Sequence, residues 1–166
     1  MKIDIKGTHV SISDFDEEEA YQIGRALELE SIERYQKLLE GSKLPEVSSV
    51  LNTLIAEEKG HVARLESMIR RIGGDPKEVN VVEFIDTGAF PNLSASGLGT
   101  NVITSGDTVA LLGIFFEELS VSYYKELANH TRSEGGKAAV TELIREEERH
   151  LEQFRSLRQQ LTEASA

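Results

Sequence analysis

Two stretches of the chain decide its fold: LIAEEKGHVARLESM at residues 54–68 and LIREEERHLEQFRSL at residues 143–157. Each contains consecutive glutamates, with a histidine three residues after the second of them. The second stretch begins 89 residues after the first (54 to 143). Apolar residues recur in both stretches at every third or fourth position, which is typical of an amphipathic helix. The chain therefore carries a helix with a Glu-x-x-His motif twice.

The same offset aligns a second pair of segments, at about residues 16–40 and 107–130. The matching residues are Gly24 with Gly113, Glu28 with Glu117, Ser31 with Ser120, Tyr35 with Tyr124 and Leu38 with Leu127. One offset that aligns two separate pairs of helices indicates an internal duplication. We interpret the chain as two copies of a helical hairpin related by a pseudo-two-fold axis.

Glycine and proline divide the chain into four predicted helices, at about 16–40, 45–72, 107–130 and 134–161. Gly41 ends the first helix, Pro45 suits the first turn of the second, and Gly73 begins the turn that ends it. Asp107 and Ser133 are the predicted N-caps of the third and fourth helices. The helices should form two hairpins, 16–72 and 107–161.

A long segment, residues 73–106, joins the two hairpins. It is rich in Val, Phe, Ile and Leu, so we expect it to pack along the bundle as a crossover. One long connection between two short ones predicts antiparallel hairpins, with the second and third helices parallel. The expected fold is all-α: a single four-helix bundle domain over 1–166, with a short extended N-terminal arm at 1–15 and a tail at 162–166.

Composition excludes several classes of protein. The 166 residues carry a formal net charge of −11, which repels nucleic acid and anionic lipid. The chain contains no cysteine, so zinc fingers, iron–sulfur clusters and thiol catalysis are excluded. It has neither a spanning apolar run of about 18 residues nor an apolar signal peptide. We expect a cytoplasmic protein without a nucleic-acid or membrane partner, in which only carboxylate and imidazole can hold metal.

Helical phase turns several ionisable residues toward the bundle interior. At about 100° per residue, Glu28 lies within the apolar stripe of the first helix, whereas Glu30 and Glu33 point away. Glu57 and Glu146 turn further out than the glutamates that follow them, so their replacement should have mild effects. The inward set comprises Glu28, Glu58, His61, Glu117, Glu147 and His150.

Four buried carboxylates require compensating positive charge. Each ionised carboxylate costs several kcal/mol to bury, and a group of four would exceed the ~5–15 kcal/mol stability of a domain. Arg158, near the C-terminal end of the fourth helix, is the one Lys or Arg expected on the inward faces. Two divalent cations would balance the charge, and the Glu-x-x-His spacing lets one helix offer a bridging carboxylate and an imidazole. The sequence predicts a dinuclear metal site, which iron or manganese would suit.

Two tyrosines accompany the predicted ligands. Tyr35 and Tyr124 lie two turns beyond Glu28 and Glu117. This position suits a hydrogen-bond donor to a ligand carboxylate, although buried tyrosines with satisfied hydroxyls are the common alternative. We predict that both tyrosines orient metal-binding carboxylates and thereby assist catalysis.

The pattern resembles the di-iron domain of rubrerythrins, in the ferritin-like superfamily, over about residues 16–161. The motifs that carry the resemblance are Glu28-x6-Tyr35, Glu58-x-x-His61, Glu117-x6-Tyr124 and Glu147-x-x-His150. The resemblance implies a ferritin-like bundle that holds two iron ions joined by an oxygen bridge. It implies that Glu58 and Glu147 bridge the ions, that Glu28 and Glu117 are terminal, and that each histidine binds one iron.

The resemblance also implies an activity: reduction of hydrogen peroxide or dioxygen with two electrons. Rubrerythrins usually carry a rubredoxin-like relay domain held by cysteines, so this chain would need a separate electron donor, such as a rubredoxin-like protein, or ferrous iron. Ser120, mirrored by Ser31, stands where rubrerythrins commonly have a further glutamate. The alternatives are a ferroxidase, a non-catalytic iron-sequestering protein and, more remotely, a metal-free helical interaction module.

The third predicted helix is apolar on nearly all sides, which predicts self-association. Residues outside its inward face include Leu111, Leu112, Phe115, Leu119 and Tyr123. A helix of this kind has to be covered on its outer face. We predict a homodimer through that face or the crossover, with exchange of hairpins between chains as a variant.

Overall fold

The computed structural model describes residues 1–81 and 105–164. In chain order these form β1 (Lys2–Lys6), β2 (His9–Ser13), α1 (Glu17–Gly41), α2 (Pro45–Arg71), α3 (Gly106–His130) and α4 (Glu134–Ala164). The ends of the four helices agree with the predicted ends to within three residues. Most of the predicted crossover and the last two residues of the predicted tail lie outside the described residues. Within the described ranges, no helix has an apolar stretch that could cross a bilayer.

Contacts between α1 and α2 show that these helices are antiparallel. Arg25 of α1 pairs with Glu66 of α2 at 2.8 Å. One turn further along α1, Glu28 lies 3.8 Å from His61, which is about one turn earlier in α2. The predicted first hairpin is therefore present, closed by the short connection between Gly41 and Pro45.

Ion pairs define the directions of the other helices in the same way. Along α3 and α4, the pairs are Glu118–Arg155 at 3.4 Å and Lys125–Glu148 at 2.7 Å. Along α2 and α4, they are Glu57–Arg149 at 2.9 Å and Arg64–Glu146 at 2.6 Å. In both sets the residue number rises on one helix as it falls on the other. Because α4 is antiparallel to both α2 and α3, those two helices are parallel, as the one-crossover topology requires.

The N-terminal segment forms a β-hairpin, which is a more ordered structure than the predicted extended arm. β1 and β2 are antiparallel, with Ile3 opposite Ile12. Gly7 provides the left-handed backbone of the turn, with a φ of 63°. Alternation of side chains buries Ile3, Val10 and Ile12. The backbone N–H of Val10 donates to Ser122 Oγ at 2.8 Å, which attaches the hairpin to α3.

Side-chain caps define the starts of α3 and α4. The predicted N-cap Asp107 is wrong, because Ser105 caps α3 by accepting from the backbone N–H of Thr108 at 3.2 Å. Asp107 instead lies in the first turn, where its charge complements the helix dipole. At the start of α4, Ser133 Oγ accepts from the N–H of Gly136 at 3.1 Å, as the predicted cap would.

Two apolar clusters fill the bundle interior. One lies near the β-hairpin and includes Ile12, Ile23, Leu65, Leu127 and Leu143. The other includes Leu38, Leu51, Leu54, Phe154 and Leu157. Ionisable side chains occupy the remaining interior, and the two clusters shield them from water.

Gly113 of α3 permits close packing against α4. A Cβ atom at this position would overlap the ring of Phe154, which is fully buried. We expect Gly113→Ala to destabilise the fold by about 1–3 kcal/mol, since overpacking outweighs the better helix propensity of alanine. Urea denaturation measures the change in the free energy of unfolding.

The control is Gly60→Ala on α2, where nothing lies within 4 Å of the new Cβ. We expect this variant to gain up to about 1 kcal/mol in the free energy of unfolding. Equal stability of Gly113→Ala and wild type would contradict this account of the packing.

Candidate metal centre

Six buried side chains from all four helices meet between the apolar clusters. They are Glu28 of α1, Glu58 and His61 of α2, Glu117 of α3, and Glu147 and His150 of α4. None is more than 2% exposed. The structure thus brings together every residue that the sequence predicts as a metal ligand.

The two Glu-x-x-His motifs form the middle of this group. One ligand atom from each of Glu58, His61, Glu147 and His150 lies within 4.8 Å of all the others. Nδ1 of His61 is 2.8 Å from an oxygen of Glu58 and 2.8 Å from an oxygen of Glu147. Nδ1 of His150 is 3.4 Å from Glu58 and 3.8 Å from Glu147. Both imidazoles therefore face the same two carboxylates, which is the arrangement that bridging ligands require.

The other two glutamates lie one at each side of this middle group. Glu28 approaches His61, with 3.8 Å between Oε1 and Nδ1. Glu117 approaches His150, with 3.8 Å between Oε2 and Nδ1. The centre consequently has two equivalent halves, each with one glutamate and one histidine, and the carboxylates of the two motifs lie between them.

Many atoms that face the centre have no hydrogen-bond partner. They include Glu58 Oε2, His61 Nδ1, Glu117 Oε2, His150 Nδ1 and both carboxylate oxygens of Glu147. Some are less than 3 Å apart, but their geometry is not that of a hydrogen bond. Buried polar atoms without partners are costly, and carboxylate oxygen with imidazole nitrogen is a suitable ligand set for first-row divalent ions. The residues present therefore fit a pair of metal ions.

Each tyrosine reaches across the bundle to the other hairpin. The hydroxyl of Tyr35 donates to Glu117, and the hydroxyl of Tyr124 donates to Glu28. Both tyrosines are about 1% exposed. Each tyrosine therefore hydrogen-bonds to one of the glutamates that the sequence predicts as metal ligands. Spacing along one helix could not show that the partner of each tyrosine lies on the opposite hairpin.

The outer nitrogen of each histidine meets a carboxylate from the other motif helix. Nε2 of His150 hydrogen-bonds to Glu57 at 2.9 Å, and Nε2 of His61 lies 2.9 Å from Glu146. A carboxylate in this place orients the ring and directs Nδ1 toward the metal. This role was not predicted from the sequence, because helical phase turns both glutamates outward, yet their long side chains reach a neighbouring helix. Their shared offset of 89 residues (57 to 146) was the available signal.

A buried arginine was also missed. Arg34 of α1 is 4% exposed, and its guanidinium carbon lies 3.6 Å from the centroid of the Phe116 ring. Arg158, the one cation predicted on the inward faces, is 47% exposed and pairs with a carboxylate of α3. That prediction is wrong. Arg34 follows the buried Ser31 by three residues, so the helical spacing did contain a signal for its position.

A protein-family model covers most of the chain. The rubrerythrin family model matches residues 19–158, a range that contains all six clustered side chains. The chain belongs to the rubrerythrin family. No curated protein matches it in sequence.

A similar solved structure shows the same fold as this rubrerythrin-family chain. It is the dodecameric thioferritin, the bacterioferritin-related protein from Bacteroides fragilis, with a TM-score of 0.68 and 14% sequence identity. The match covers 91% of this chain and 90% of that chain. The expected ferritin-like four-helix bundle is therefore confirmed.

Burial and crowding change the acidity of the clustered side chains in this rubrerythrin-family chain. Burial, together with the charge of Glu58, raises the pKa of Glu28 to about 8. Burial also raises the pKa of Glu117, and raises the pKa of Glu147 well above its ordinary value. Burial opposes ionisation of Glu58 too, but the two histidines beside its carboxylate outweigh burial and hold its pKa at about 2. Without metal ions, burial therefore favours the protonated forms of Glu28, Glu117 and Glu147, whereas the two histidines favour the ionised form of Glu58.

Metal binding to this centre should release protons. Burial lowers the pKa of His61 and His150, but the surrounding carboxylates outweigh it and raise both overall. Glu28, with its pKa of about 8, therefore holds a proton at pH 7, and the raised pKa values favour the protonated forms of both histidines. Metal ions bind the deprotonated ligands. Affinity should consequently rise with pH and weaken as pH falls below about 8.

Calorimetric titration of Mn(II) into metal-free protein measures this release. Repeating the titration in buffers of different ionisation enthalpy gives the number of protons exchanged. We expect at least one proton per chain at pH 7, and tighter binding at pH 8 than at pH 6. Binding without proton exchange over this range would contradict the assignment of these residues as ligands.

Proposed function

We propose that this chain is a di-iron carboxylate oxidoreductase that reduces hydrogen peroxide, or dioxygen, with electrons from outside the chain. The observation that best supports this proposal is the group of six buried ligand side chains whose facing atoms lack hydrogen-bond partners. Membership of the rubrerythrin family supports the same proposal. Two ferrous ions held by these residues would supply one electron each, and the two electrons with two protons would convert one hydrogen peroxide into two waters.

The protein's part in this reaction is to hold and enclose the centre. We assign Glu58 and Glu147 as bridging ligands, since both histidines face both carboxylates. Glu28 and Glu117 are assigned as terminal ligands, with one histidine beside each. Hydrogen bonds from the two tyrosines fix the terminal carboxylates, and the apolar clusters exclude water. Manganese is the second candidate metal, because the ligand set suits both ions.

We propose that the electrons come from a separate donor. The chain has no cysteine that could hold the iron of a rubredoxin-like relay. We propose a rubredoxin-like protein as the donor, or ferrous iron itself. The same proposal places the protein in the cytoplasm without a nucleic-acid or membrane partner, in keeping with its net charge of −11.

Oxidation and sequestration of ferrous iron is the second candidate function. The observation that favours it is the fold, which the chain shares with a protein described as a thioferritin. A carboxylate-rich centre would serve either function. The two candidates differ in what happens to iron after oxidation: a peroxidase reuses two ions, whereas a storage protein accumulates them.

Peroxide consumption and iron retention, measured on the same preparation, separate the candidates. Protein purified without chelators is loaded anaerobically with Fe(II), then supplied with hydrogen peroxide and a reduced rubredoxin. Many turnovers with two irons per chain support the peroxidase. Iron retention far above two ions per chain supports storage, and two bound ions without turnover support sequestration. Protein that binds no metal at all would support the metal-free interaction module.

We also propose that the chain forms a homodimer through the outer face of α3. The β-hairpin already covers part of this face, since Leu119 is 7% exposed and Tyr123 is 2% exposed. Leu111 remains 41% exposed. The surface for a second copy is therefore centred on Leu111 and is smaller than the sequence indicates.

Light scattering tests this dimer at micromolar concentration. Leu111→Glu should convert a dimer to a monomer, because a charge in an apolar interface is costly. Leu29→Glu is the control, since Leu29 is also 41% exposed but lies on α1. A monomeric wild type, or a dimer that tolerates Leu111→Glu, would contradict the proposed interface. A larger assembly would appear in the same measurement.

A further inference from the structure

A small cavity lies between the N-terminal β-hairpin and helices α1 and α3. Its volume is about 40 Å³, enough for a few water molecules or one small anion. Its lining is apolar on the hairpin side and polar where Ser31, Arg34 and Ser120 contribute. The two serines follow the proposed ligands Glu28 and Glu117 by one helical turn. The cavity is thus next to the metal centre and distinct from it.

Arg34 is buried in this lining with few partners. Its side chain is 4% exposed, and its Nε atom makes no hydrogen bond. Nη1 donates to Ser31 Oγ at 3.4 Å, and Nη2 lies 3.7 Å from Glu30. Both distances are long for a guanidinium, which has five N–H donors to satisfy. The guanidinium therefore has capacity for a further acceptor.

The Phe116 ring covers one side of the Arg34 guanidinium, whose central carbon is 3.6 Å from the ring centroid, a cation–π contact. A further acceptor has to meet the N–H groups, which all lie in the plane of the guanidinium. An acceptor with two oxygens in one plane matches this fork of donors better than a spherical ion does.

Charge also favours an anion at this position. Four ligand carboxylates balance two divalent ions, so none of their charge remains for Arg34 when the centre is loaded. Within the described part of the chain, the ion-pair partner of Arg34 is Glu30, which is 30% exposed. A buried cation with so little compensation is costly. Only this charge argument rests on the proposed metal ions, because the cavity and the free donors are present without them.

We propose that the cavity binds a small planar oxyanion, such as formate, through the in-plane N–H groups of Arg34. The hydroxyls of Ser31 and Ser120 provide further donors. The apolar hairpin residues Ile3, Ile5 and Val10 enclose the opposite side and limit the ligand to a few atoms. The site selects by shape and charge, so formate binds in preference to chloride.

Calorimetric titration of formate into the metal-loaded full-length protein tests this site, at constant ionic strength. We expect one formate per chain, with at least tenfold weaker binding in Arg34→Gln. The matched control is Arg25→Gln, which removes a cation from the same helix that is paired with Glu66, and it should bind formate as the wild type does. Wild-type affinity in Arg34→Gln, or no saturable binding by the wild type, would overturn the proposal.

Two further measurements keep the test decisive. The optical spectrum of the metal centre identifies an anion bound to the metal ions, and a formate-dependent spectral change that persists in Arg34→Gln would overturn the arginine site. If Arg34→Gln does not fold, formate binding is measured with Ser120→Leu instead. This variant keeps the arginine, and its larger side chain fills the cavity. Binding weakened at least tenfold in Ser120→Leu supports the proposal, and undiminished binding overturns it.

Discussion

Replacing Glu58 or Glu147 with alanine should remove more than one metal ion per chain. Nδ1 of His61 and Nδ1 of His150 both face these two carboxylates, at 2.8 to 3.8 Å. A ligand shared by two ions weakens both sites when it is lost. The wild type should retain two ions after loading and desalting, and each variant fewer than one, as measured by elemental analysis.

Matched variants separate bridging from other roles. Glu148→Ala on α4 removes a carboxylate that is 48% exposed and paired with Lys125, so it should retain two ions. Glu57→Ala and Glu146→Ala should still bind two ions at saturation, but with affinity lowered about 10–100-fold, because each loses a carboxylate that orients a ligand histidine. This effect is larger than helical phase indicated. Retention of one full-affinity ion by Glu58→Ala would show that this glutamate is a terminal ligand.

Replacing Tyr35 and Tyr124 with phenylalanine should leave metal binding intact and slow the turnover of peroxide. Each hydroxyl donates to a carboxylate that we assign as a terminal ligand. Without this donor the carboxylate is free to rotate, and one of its buried oxygens lacks a partner. We expect turnover to fall about 10–100-fold in the double variant, measured by stopped-flow mixing with hydrogen peroxide alongside metal analysis.

A third tyrosine provides the control for these variants. The hydroxyl of Tyr123 donates to the backbone carbonyl of Ala20 at 2.5 Å. Tyr123→Phe therefore removes a buried hydroxyl of similar surroundings without altering a ligand, and it should lower stability while leaving turnover unchanged. If the double variant of Tyr35 and Tyr124 turned over peroxide at the wild-type rate, both tyrosines would be packing residues.

The helices and the six clustered side chains could be predicted because two independent regularities of the sequence, the internal repeat and the helical phase, agree. The offset of 89 residues aligns Glu58 with Glu147 and His61 with His150. Helical phase then separates Glu28, which is buried, from Glu33, whose side chain is 57% exposed. Each regularity depends only on residue positions within one helix or between a helix and its repeat. Neither depends on how the helices pack against one another.

Contacts between helices could not be predicted in this way. The rotation of one helix against another determines that Tyr35 meets Glu117 and that Glu57 meets His150. The sequence predicted only an extended N-terminal arm, where the structure has a β-hairpin, for a similar reason. Alternation of apolar and polar residues indicates a strand but not the surface that the strand covers. Arg34 was not predicted because helical phase did not place it on the inward face of α1, whereas in the structure its guanidinium lies against the Phe116 ring in the interior.

The contacts that the two tyrosines and the outer nitrogens of the two histidines make each join one half of the chain to the other. Each tyrosine donates to the opposite hairpin, and each outer carboxylate meets the histidine of the opposite motif. A hairpin that associated with a copy of itself would make every one of these contacts. A polypeptide half as long would thus form a complete centre as a pair of identical chains. Fusion of two such genes would preserve the centre and allow the two halves to differ in sequence. Arg34 and Tyr123, which occupy matching positions, are an example of such a difference.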